Sequence, residues 1–140
     1  MKKKSNLSSE KIRHKAVKLA KQIIRKQHNY TCEYCDKREP QVKTHGSHIY
    51  PEGTYHLLSA ELKNILCLCF THHTGGWNSK EPSWHKNPVE MIDWFNEKYS
   101  KRAKELKKLK QKSFQGDLYY WTKKLEDLQN IWETINQKQI

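Results

Sequence analysis

The 140-residue chain lacks any long hydrophobic run. No stretch approaches the roughly 20 apolar residues that an α-helix needs to cross a bilayer. The N-terminus begins with Met1 and three lysines, but no apolar segment follows, as one would in a secretory signal. We therefore expect no membrane partner and a reducing, cytoplasmic compartment.

The sequence is also poor in the residues that build a core. Hydrophobic residues make up 35% of the chain and charged residues 30%. This hydrophobic content is low for a domain of this length that must form its own core. A metal ion that binds only the folded state adds its binding free energy to folding. A metal staple would therefore offset the shortage of apolar side chains.

Acidic residues are scarce beside basic ones. The chain has 27 Lys and Arg against 15 Asp and Glu, which gives a net charge of +12 and a pI near 9.6. Such an excess predicts a polyanionic partner, with DNA or RNA as the first choice. An acidic membrane surface and simple solubility are the alternatives. Composition alone carries no information about sequence specificity.

The four cysteines have the spacing of metal ligands. Cys32 and Cys35 form one x2 pair, and Cys69 and His72 form a second. Structural zinc is bound by four such ligands in a closed tetrahedron, so we predict a Cys3His zinc site. Cys67 lies two residues before Cys69 and either replaces His72 as the fourth ligand or serves as a small buried apolar residue.

Periodic apolar residues predict helices on both flanks. The first helix runs from about Ser9 to His28, with lysines and arginines on its outer face. Asn87 and Pro88 predict a second start, with asparagine as the cap and proline in the first helical position. Residues 118–135 carry an a/d seam that either folds back on the preceding helix or pairs with a second copy of the chain.

The middle of the chain is predicted to be short and mixed. Residues 42–50 favour an extended arm, residues 65–68 a strand, and Thr71 the start of a short helix that ends at Gly75. The predicted fold class is therefore α+β, mostly helical. Three parts are expected: a basic tail and helix (1–28), a zinc-stapled core (29–87) and a helical hairpin or arm (88–140).

The order of motifs in this middle segment resembles a known nuclease family. His48 begins a His-Ile-Tyr-Pro stretch, Asn64 begins Asn-Ile-Leu-Cys, and His73 directly follows the Cys69-x-x-His pair. Over about residues 30–85 this order resembles the HNH endonucleases, specifically zinc-stapled members of phage or mobile-element type. The resemblance implies a small ββα-metal core that cuts DNA in a bacterial or phage-infected cell.

The resemblance also implies roles for the three motif residues. His48 matches the general base, Asn64 the residue that orders the turn through backbone hydrogen bonds, and His73 a ligand of a catalytic ion, Mg²⁺ or another divalent metal. His72 and His73 are adjacent, so their side chains point in different directions on a helix. We therefore predict that one histidine serves the structural zinc and the next serves the catalytic ion.

One position departs from the family pattern. Many members carry an Asp or His metal ligand immediately before the base, where this chain has Ser47. The resemblance favours His85, just ahead of the predicted helix start, as an additional metal or phosphate ligand. His45 is the alternative, and either histidine could instead be a surface or capping residue.

The flanks can supply contacts to phosphates. Five basic residues in one helical run are candidates for nucleic-acid binding: Lys101, Arg102, Lys104, Lys107 and Lys108. Each phosphate contact steepens the salt dependence of binding, although a solvated helix face is the alternative. Two other functions compete with the nuclease: a non-catalytic zinc-dependent nucleic-acid-binding protein, and an interaction module that dimerises through residues 118–135.

Overall fold

The structure, a computed structural model, describes residues 2–77, 79–111 and 116–138, and their side chains from Ser9 onward. Within these residues the chain is α+β and mostly helical, which confirms the predicted class. The elements are, in chain order, α1 (Lys2–Gln27), β1 (Thr44–His48), β2 (Ile65–Cys69), α2 (Phe70–Thr74), α3 (Pro88–Lys98), α4 (Ser100–Lys110) and α5 (Leu118–Gln137). Among the described helices, none has the length and apolar character to span a membrane.

The two strands pair antiparallel and divide the core into two halves. Gly46 of β1 lies opposite Cys67 of β2, and β2 is buried along its whole length. Side chains alternate between the faces of a strand. Ile65 and Cys67 accordingly join the core against α1 and α5, whereas Leu66 and Leu68 join the core against α3 and α4. The short helix α2 follows β2 directly, so its side chains lie beside both strands.

The last helix, α5, packs along α1. Ala16 and Ala20 of α1 are fully buried, and Trp121 and Leu128 of α5 are buried in the same cluster. The small alanines let the large α5 side chains approach the α1 backbone closely. The predicted seam is therefore used within the chain, against α1 and not in a hairpin with the preceding helix. Dimerisation through residues 118–135 stays a prediction.

The third helix begins where the sequence predicts, with Pro88 in the first turn. Its predicted cap is wrong in detail, because the Asn87 side chain accepts a hydrogen bond from the Ser83 backbone N–H at 3.2 Å and makes no cap bond. The helix that starts at Pro88 does not continue without a break: α3 ends just before Tyr99, and α4 begins directly after it. The Tyr99 hydroxyl donates to the Glu33 carboxylate at 2.8 Å, which holds the break in place.

A buried carboxylate joins α4 to the strands. Glu33 is 6% exposed and also accepts the Cys67 backbone N–H at 2.6 Å. The Arg102 guanidinium lies 3.8 Å from the same carboxylate. It donates to the backbone carbonyls of Lys63 at 2.7 Å and Ile65 at 2.8 Å. Burial lowers the pKa of Arg102, and the Glu33 charge opposes that effect.

We expect Arg102→Gln to lower the free energy of unfolding by about 3 kcal/mol, because it leaves the buried Glu33 carboxylate without its cation. Urea denaturation would measure the loss. The matched control is Lys101→Gln on the exposed side of the same helix, which should change stability by less than about 0.5 kcal/mol. Equal midpoints for the two variants would contradict this structural role.

Candidate functional site: a histidine-lined cleft beside a thiol cluster

Three cysteines converge on one point. The sulfurs of Cys32, Cys35 and Cys69 all lie within 4.8 Å of one another, and none of these residues forms a disulfide. The Cys35 and Cys69 sulfurs are 3.9 Å apart. Zn–S bonds of about 2.3 Å at tetrahedral angles place two sulfurs about 3.8 Å apart, whereas a disulfide needs about 2.05 Å. The spacing fits a metal such as zinc.

Local backbone geometry builds this cluster. The Cys32 N–H donates to the Lys37 carbonyl at 2.8 Å, and the Asp36 N–H donates to the Cys32 carbonyl at 2.9 Å. Asp36 takes the left-handed conformation with φ of 63°, which closes a tight knuckle around the first two thiols. Cys69 lies at the end of β2, immediately before α2. The knuckle therefore meets the strand end, and Cys69 of the second predicted pair lies beside Cys32 and Cys35 of the first.

The protonation of the thiols couples metal binding to pH. Burial raises the pKa of Cys32 to about 12 and also raises the pKa of Cys69. A metal ion must displace these protons, since the thiolate is the ligand. Metal affinity should therefore increase with pH.

His72 lies next to the thiols but outside their group of three. It is 2% exposed, its ring centroid lies 4.4 Å from that of Tyr34 with the rings tilted by 39°, and its Nδ1 lies 2.8 Å from the Pro82 carbonyl oxygen. A carbonyl only accepts, so Nδ1 donates this hydrogen bond, and Nε2 lies 3.7 Å from the Glu81 carboxylate. The Nδ1 hydrogen bond is of the kind that metal-bound histidines usually make. The role of fourth zinc ligand stays a prediction for His72.

Cys67 takes a different position from the other cysteines. It belongs to the core against α1, and burial raises its pKa to about 11. Its side chain is hydrogen-bonded to Thr44. It matches the small buried residue that the sequence offered as an alternative to a ligand.

The neighbouring histidine, His73, faces other imidazoles. Its Nδ1 lies 3.0 Å from Nδ1 of His45, and its ring centroid lies 4.8 Å from that of His85. His72 contacts Tyr34 and Pro82 instead, so the two adjacent imidazoles occupy different environments. α2 thus presents one histidine to the thiol side and the next to a separate group of histidines.

His48, His73 and His85 line a single cleft of about 330 Å³. β1 supplies His48, α2 supplies His73, and the segment before α3 supplies His85, whose backbone N–H donates to the His73 carbonyl at 3.1 Å. The remaining residues of its wall come from α1, β1, the turn after β1 and the segment before α3: Lys21, Gly46, Ser47, Pro51, Glu52 and Trp84.

Hydrogen bonding fixes the proton of His48. Its Nε2 lies 2.7 Å from the Ser59 carbonyl oxygen. Because the carbonyl can only accept, Nε2 carries the proton and Nδ1 keeps its lone pair. Burial lowers the pKa of His48, with Lys21 and Arg13 acting in the same direction and Glu52 and the Ser59 hydrogen bond opposing it. The side chain is therefore a neutral base at pH 7.

Asn64 orders the backbone that follows His48. Its side chain is fully buried and accepts the Tyr50 N–H at 2.8 Å. Its amide nitrogen donates to the Tyr50 carbonyl at 3.0 Å and the Leu58 carbonyl at 2.9 Å. These three bonds hold the segment between the strands against the start of β2. This is the kind of backbone contact that the family resemblance implies for Asn64.

Burial, with nearby basic groups, keeps His73 neutral. Burial lowers its pKa to about 4, and the nearby His85, His45 and Lys21 add to the effect. Burial also lowers the pKa of His45, and the charges of Lys43 and Arg25 lower it further. In the 3.0 Å contact between the Nδ1 atoms of His45 and His73, one neutral ring donates and the other accepts with its lone pair. The donating ring keeps a lone pair on Nε2, which is what a metal ion requires.

Two charged residues of the cleft were not predicted from the sequence. Lys21 crosses β1 so closely that a Cβ on Gly46 would lie 2.5 Å from its Cγ. Glu52 lies in the turn after β1 and pairs with Arg13 at 3.4 Å. Lys21 was one of many lysines on the face of α1, and nothing in the sequence distinguished it from the rest.

The predicted basic run divides into two groups. Lys101, Lys104, Lys107 and Lys108 are exposed on α4, where phosphate could reach them. Arg102 instead donates to the carbonyl of Lys63, just before β2, and to that of Ile65 at the start of β2, and lies beside the Glu33 carboxylate. Phosphate binding by the four lysines stays a prediction. The contacts of Arg102 give this residue a structural role in the fold.

In comparisons with known proteins, no protein-family model, no curated protein and no solved structure matches this chain. The function must therefore be inferred from the residues that line the cleft.

Proposed function

We propose that this protein is a metal-dependent endonuclease of HNH type that hydrolyses phosphodiester bonds in DNA. The supporting observation is the cleft in which His48, His73 and His85 meet, beside a turn that Asn64 holds by three hydrogen bonds. The net charge of +12 suits a polyanionic substrate. A structural zinc held by Cys32, Cys35 and Cys69, with His72 as the fourth ligand, completes the proposed core.

The residues of the cleft suit a divalent ion. His73 offers a neutral imidazole, and His85 and Glu52 line the same cleft. The Ser47 hydroxyl is buried and has no hydrogen-bond partner among the described residues, as expected for a polar group that awaits a ligand or water. Imidazoles favour Zn²⁺, Ni²⁺ and related ions over Mg²⁺. A divalent ion bound there would stabilise negative charge on the phosphate and the leaving oxygen.

His48 is the proposed general base. Its Nδ1 lone pair takes the proton from the attacking water, and the positive charge that forms on the ring is stabilised by the Nε2–H bond to the Ser59 carbonyl. Lys21 lines the same cleft and can neutralise a phosphate oxygen. Asn64 acts indirectly, because it positions the backbone that follows the base.

The rate of cleavage should remain high to unusually low pH. Burial lowers the pKa of His48 below its ordinary 6.5, so the neutral, base-competent form persists as pH falls through 6.5. With metal held at a fixed excess, we expect the acid limb of kcat/KM to have its midpoint below 6.5. A midpoint above 6.5 would contradict the assignment of His48 as a neutral buried base.

Plasmid nicking tests the proposal directly. Zinc-loaded protein is incubated with supercoiled DNA and Mg²⁺, Mn²⁺ or Ni²⁺, and with EDTA as the control. We expect a divalent-ion-dependent conversion to nicked or linear DNA, with Mn²⁺ or Ni²⁺ more effective than Mg²⁺. If none of the three ions supports conversion, the proposed nuclease activity is wrong.

The second candidate is a zinc-dependent nucleic-acid-binding protein without catalysis. Ser47 favours it, because a hydroxyl is a weak ligand at a position where the resembled family often has a carboxylate or imidazole. DNA binding by the zinc-loaded protein that is lost when EDTA removes the zinc, together with intact plasmid in every metal, would support this alternative.

A further inference from the structure

A second and larger cleft opens directly after His48 in the chain. It has a volume of about 640 Å³, within the range of small-molecule sites. One wall is the turn after β1, and the other is formed by α3 and α4. The lining residues that matter below are Tyr50, Tyr55, Ile92, Asn96, Lys104 and Lys107.

The turn presents aromatic rings to this cleft. The rings of Tyr50 and Tyr55 contact each other with centroids 5.3 Å apart at 67°. The Lys110 ammonium lies 5.4 Å from the Tyr50 centroid and 5.8 Å from the Tyr55 centroid. Aromatic rings beside cations are the features on which single-stranded nucleic acid stacks its bases.

The opposite wall matches the charge and polarity of a nucleotide. Of the described residues that line the cleft, the two charged ones are Lys104 and Lys107, so an anion meets no lining carboxylate. Asn96 is exposed there, and its amide can both donate to and accept from a base edge. Ile92 is 42% exposed and provides apolar surface beside these polar groups.

The two clefts are adjacent. Pro51 lines both of them, and the wall of the second cleft begins at Ile49, the residue after His48. A strand whose phosphate lies at His48 can therefore continue into the second cleft, beside the tyrosines. Bases in a duplex are already stacked and paired, so only an unpaired base can enter such a cleft without an unpairing cost.

We propose that the second cleft binds an unpaired nucleotide of the DNA strand, with its base on Tyr50 and Tyr55 and its phosphates on Lys104 and Lys107. This deepens the proposed nuclease function and rests on it for the strand in the histidine cleft. The preferred substrate is then DNA with a single-stranded segment next to the scissile bond, and plain duplex is the poorer substrate.

Binding to a 12-nucleotide single strand and to a 12-base-pair duplex tests this inference by fluorescence anisotropy. All proteins are zinc-loaded and carry His48→Ala, so that the DNA is not cut. We expect Tyr55→Leu to weaken single-strand binding about 10-fold, within the range found for loss of base stacking, and to change duplex binding less than about 2-fold.

The lysines of α4 provide a charge-matched control on the exposed surface. Lys104→Gln with Lys107→Gln removes the two that line the cleft, and Lys101→Gln with Lys108→Gln removes two that do not. We expect the first pair to weaken single-strand binding at least 5-fold more than the second. Equal losses from both pairs would overturn the inference, whether or not Tyr55→Leu folds normally.

Two further measurements, sedimentation and plasmid nicking, separate the inference from its alternatives. If sedimentation shows a dimer that Tyr55→Leu dissociates, a second copy of the chain occupies the cleft and the inference is wrong. Plasmid nicking is measured separately on protein with His48 intact. If the protein does not nick plasmid, but Tyr55→Leu still weakens single-strand binding selectively and the two lysine pairs still differ, the nuclease proposal is wrong. The nucleotide-binding role of the second cleft then remains supported.

Discussion

Replacing His48 with alanine should lower the rate of metal-dependent DNA cleavage by about 10²–10⁴-fold, the usual contribution of a general base. The neutral His48 ring, with its proton held on Nε2 by the Ser59 carbonyl, is the group placed to accept a proton from water. Single-turnover cleavage of supercoiled plasmid under excess enzyme measures the effect without interference from product release.

A matched control distinguishes catalysis from stability. His14 is an exposed histidine of α1 with 67% of its side chain accessible, and His14→Ala should cleave like the wild type. His73→Ala should raise the metal concentration needed for half-maximal cleavage, because it removes a proposed ligand. Equal cleavage by the wild type and the His48→Ala and His73→Ala variants would remove the catalytic assignment.

Loss of one thiol from the cluster should destabilise the fold strongly. Cys32→Ser is expected to abolish stoichiometric zinc and to lower the free energy of unfolding by about 4 kcal/mol or more when free zinc exceeds its Kd a thousandfold. The reason is that an ion held by these thiols would join the knuckle to the end of β2, in a chain with few apolar residues. Metal analysis and thermal unfolding by circular dichroism measure the two effects.

Cys67→Ser is the matched control for that prediction. Cys67 lies two residues from Cys69 but belongs to the core against α1 and not to the thiol cluster. The variant should keep one zinc per chain and lose only the modest stability of a buried apolar contact. Loss of zinc from Cys67→Ser, with zinc retained by Cys32→Ser, would contradict the assigned ligand set.

Short-range features were the most predictable part of this fold. The strand predicted at residues 65–68 is present as Ile65–Cys69, and the short helix α2 ends at Gly75, which takes a φ of 106°. Both x2 metal pairs come close enough for their three cysteines to form one cluster. The strand and the end of α2 depend on residues within one or two turns of each other. The cluster joins Cys35 to Cys69, 34 positions apart, and was predictable because the ligand spacing of each pair is visible in the sequence.

Long-range pairings could not be predicted in the same way. The packing of α5 on α1 joins residues about a hundred positions apart, as in the Lys26 to Asn136 hydrogen bond at 2.6 Å. The amphipathic seam of α5 is equally compatible with several apolar partners. From the sequence, Arg102 was one more basic residue in a lysine-rich run, because its carbonyl acceptors lie at and just before the start of β2 and not in its own helix.

In the cleft lined by His48, His73 and His85, long-range contacts were likewise not predictable from the sequence. Adjacency alone places His72 and His73 in different directions, so their separate environments follow from local geometry. The 3.0 Å approach of His45 to His73 does not, because it depends on how β1 lies against α2. Lys21 enters the cleft only because α1 crosses β1 at Gly46.

Anomalous diffraction from crystals of the zinc-loaded protein grown with Mn²⁺ tests most directly whether the two adjacent histidines serve two metals. Data at the zinc and manganese edges should show zinc within bonding distance of Cys32, Cys35, Cys69 and His72, and manganese at His73 inside the cleft that His48 lines. A zinc peak at the thiols with no second ion at His73, at millimolar Mn²⁺, would contradict the account.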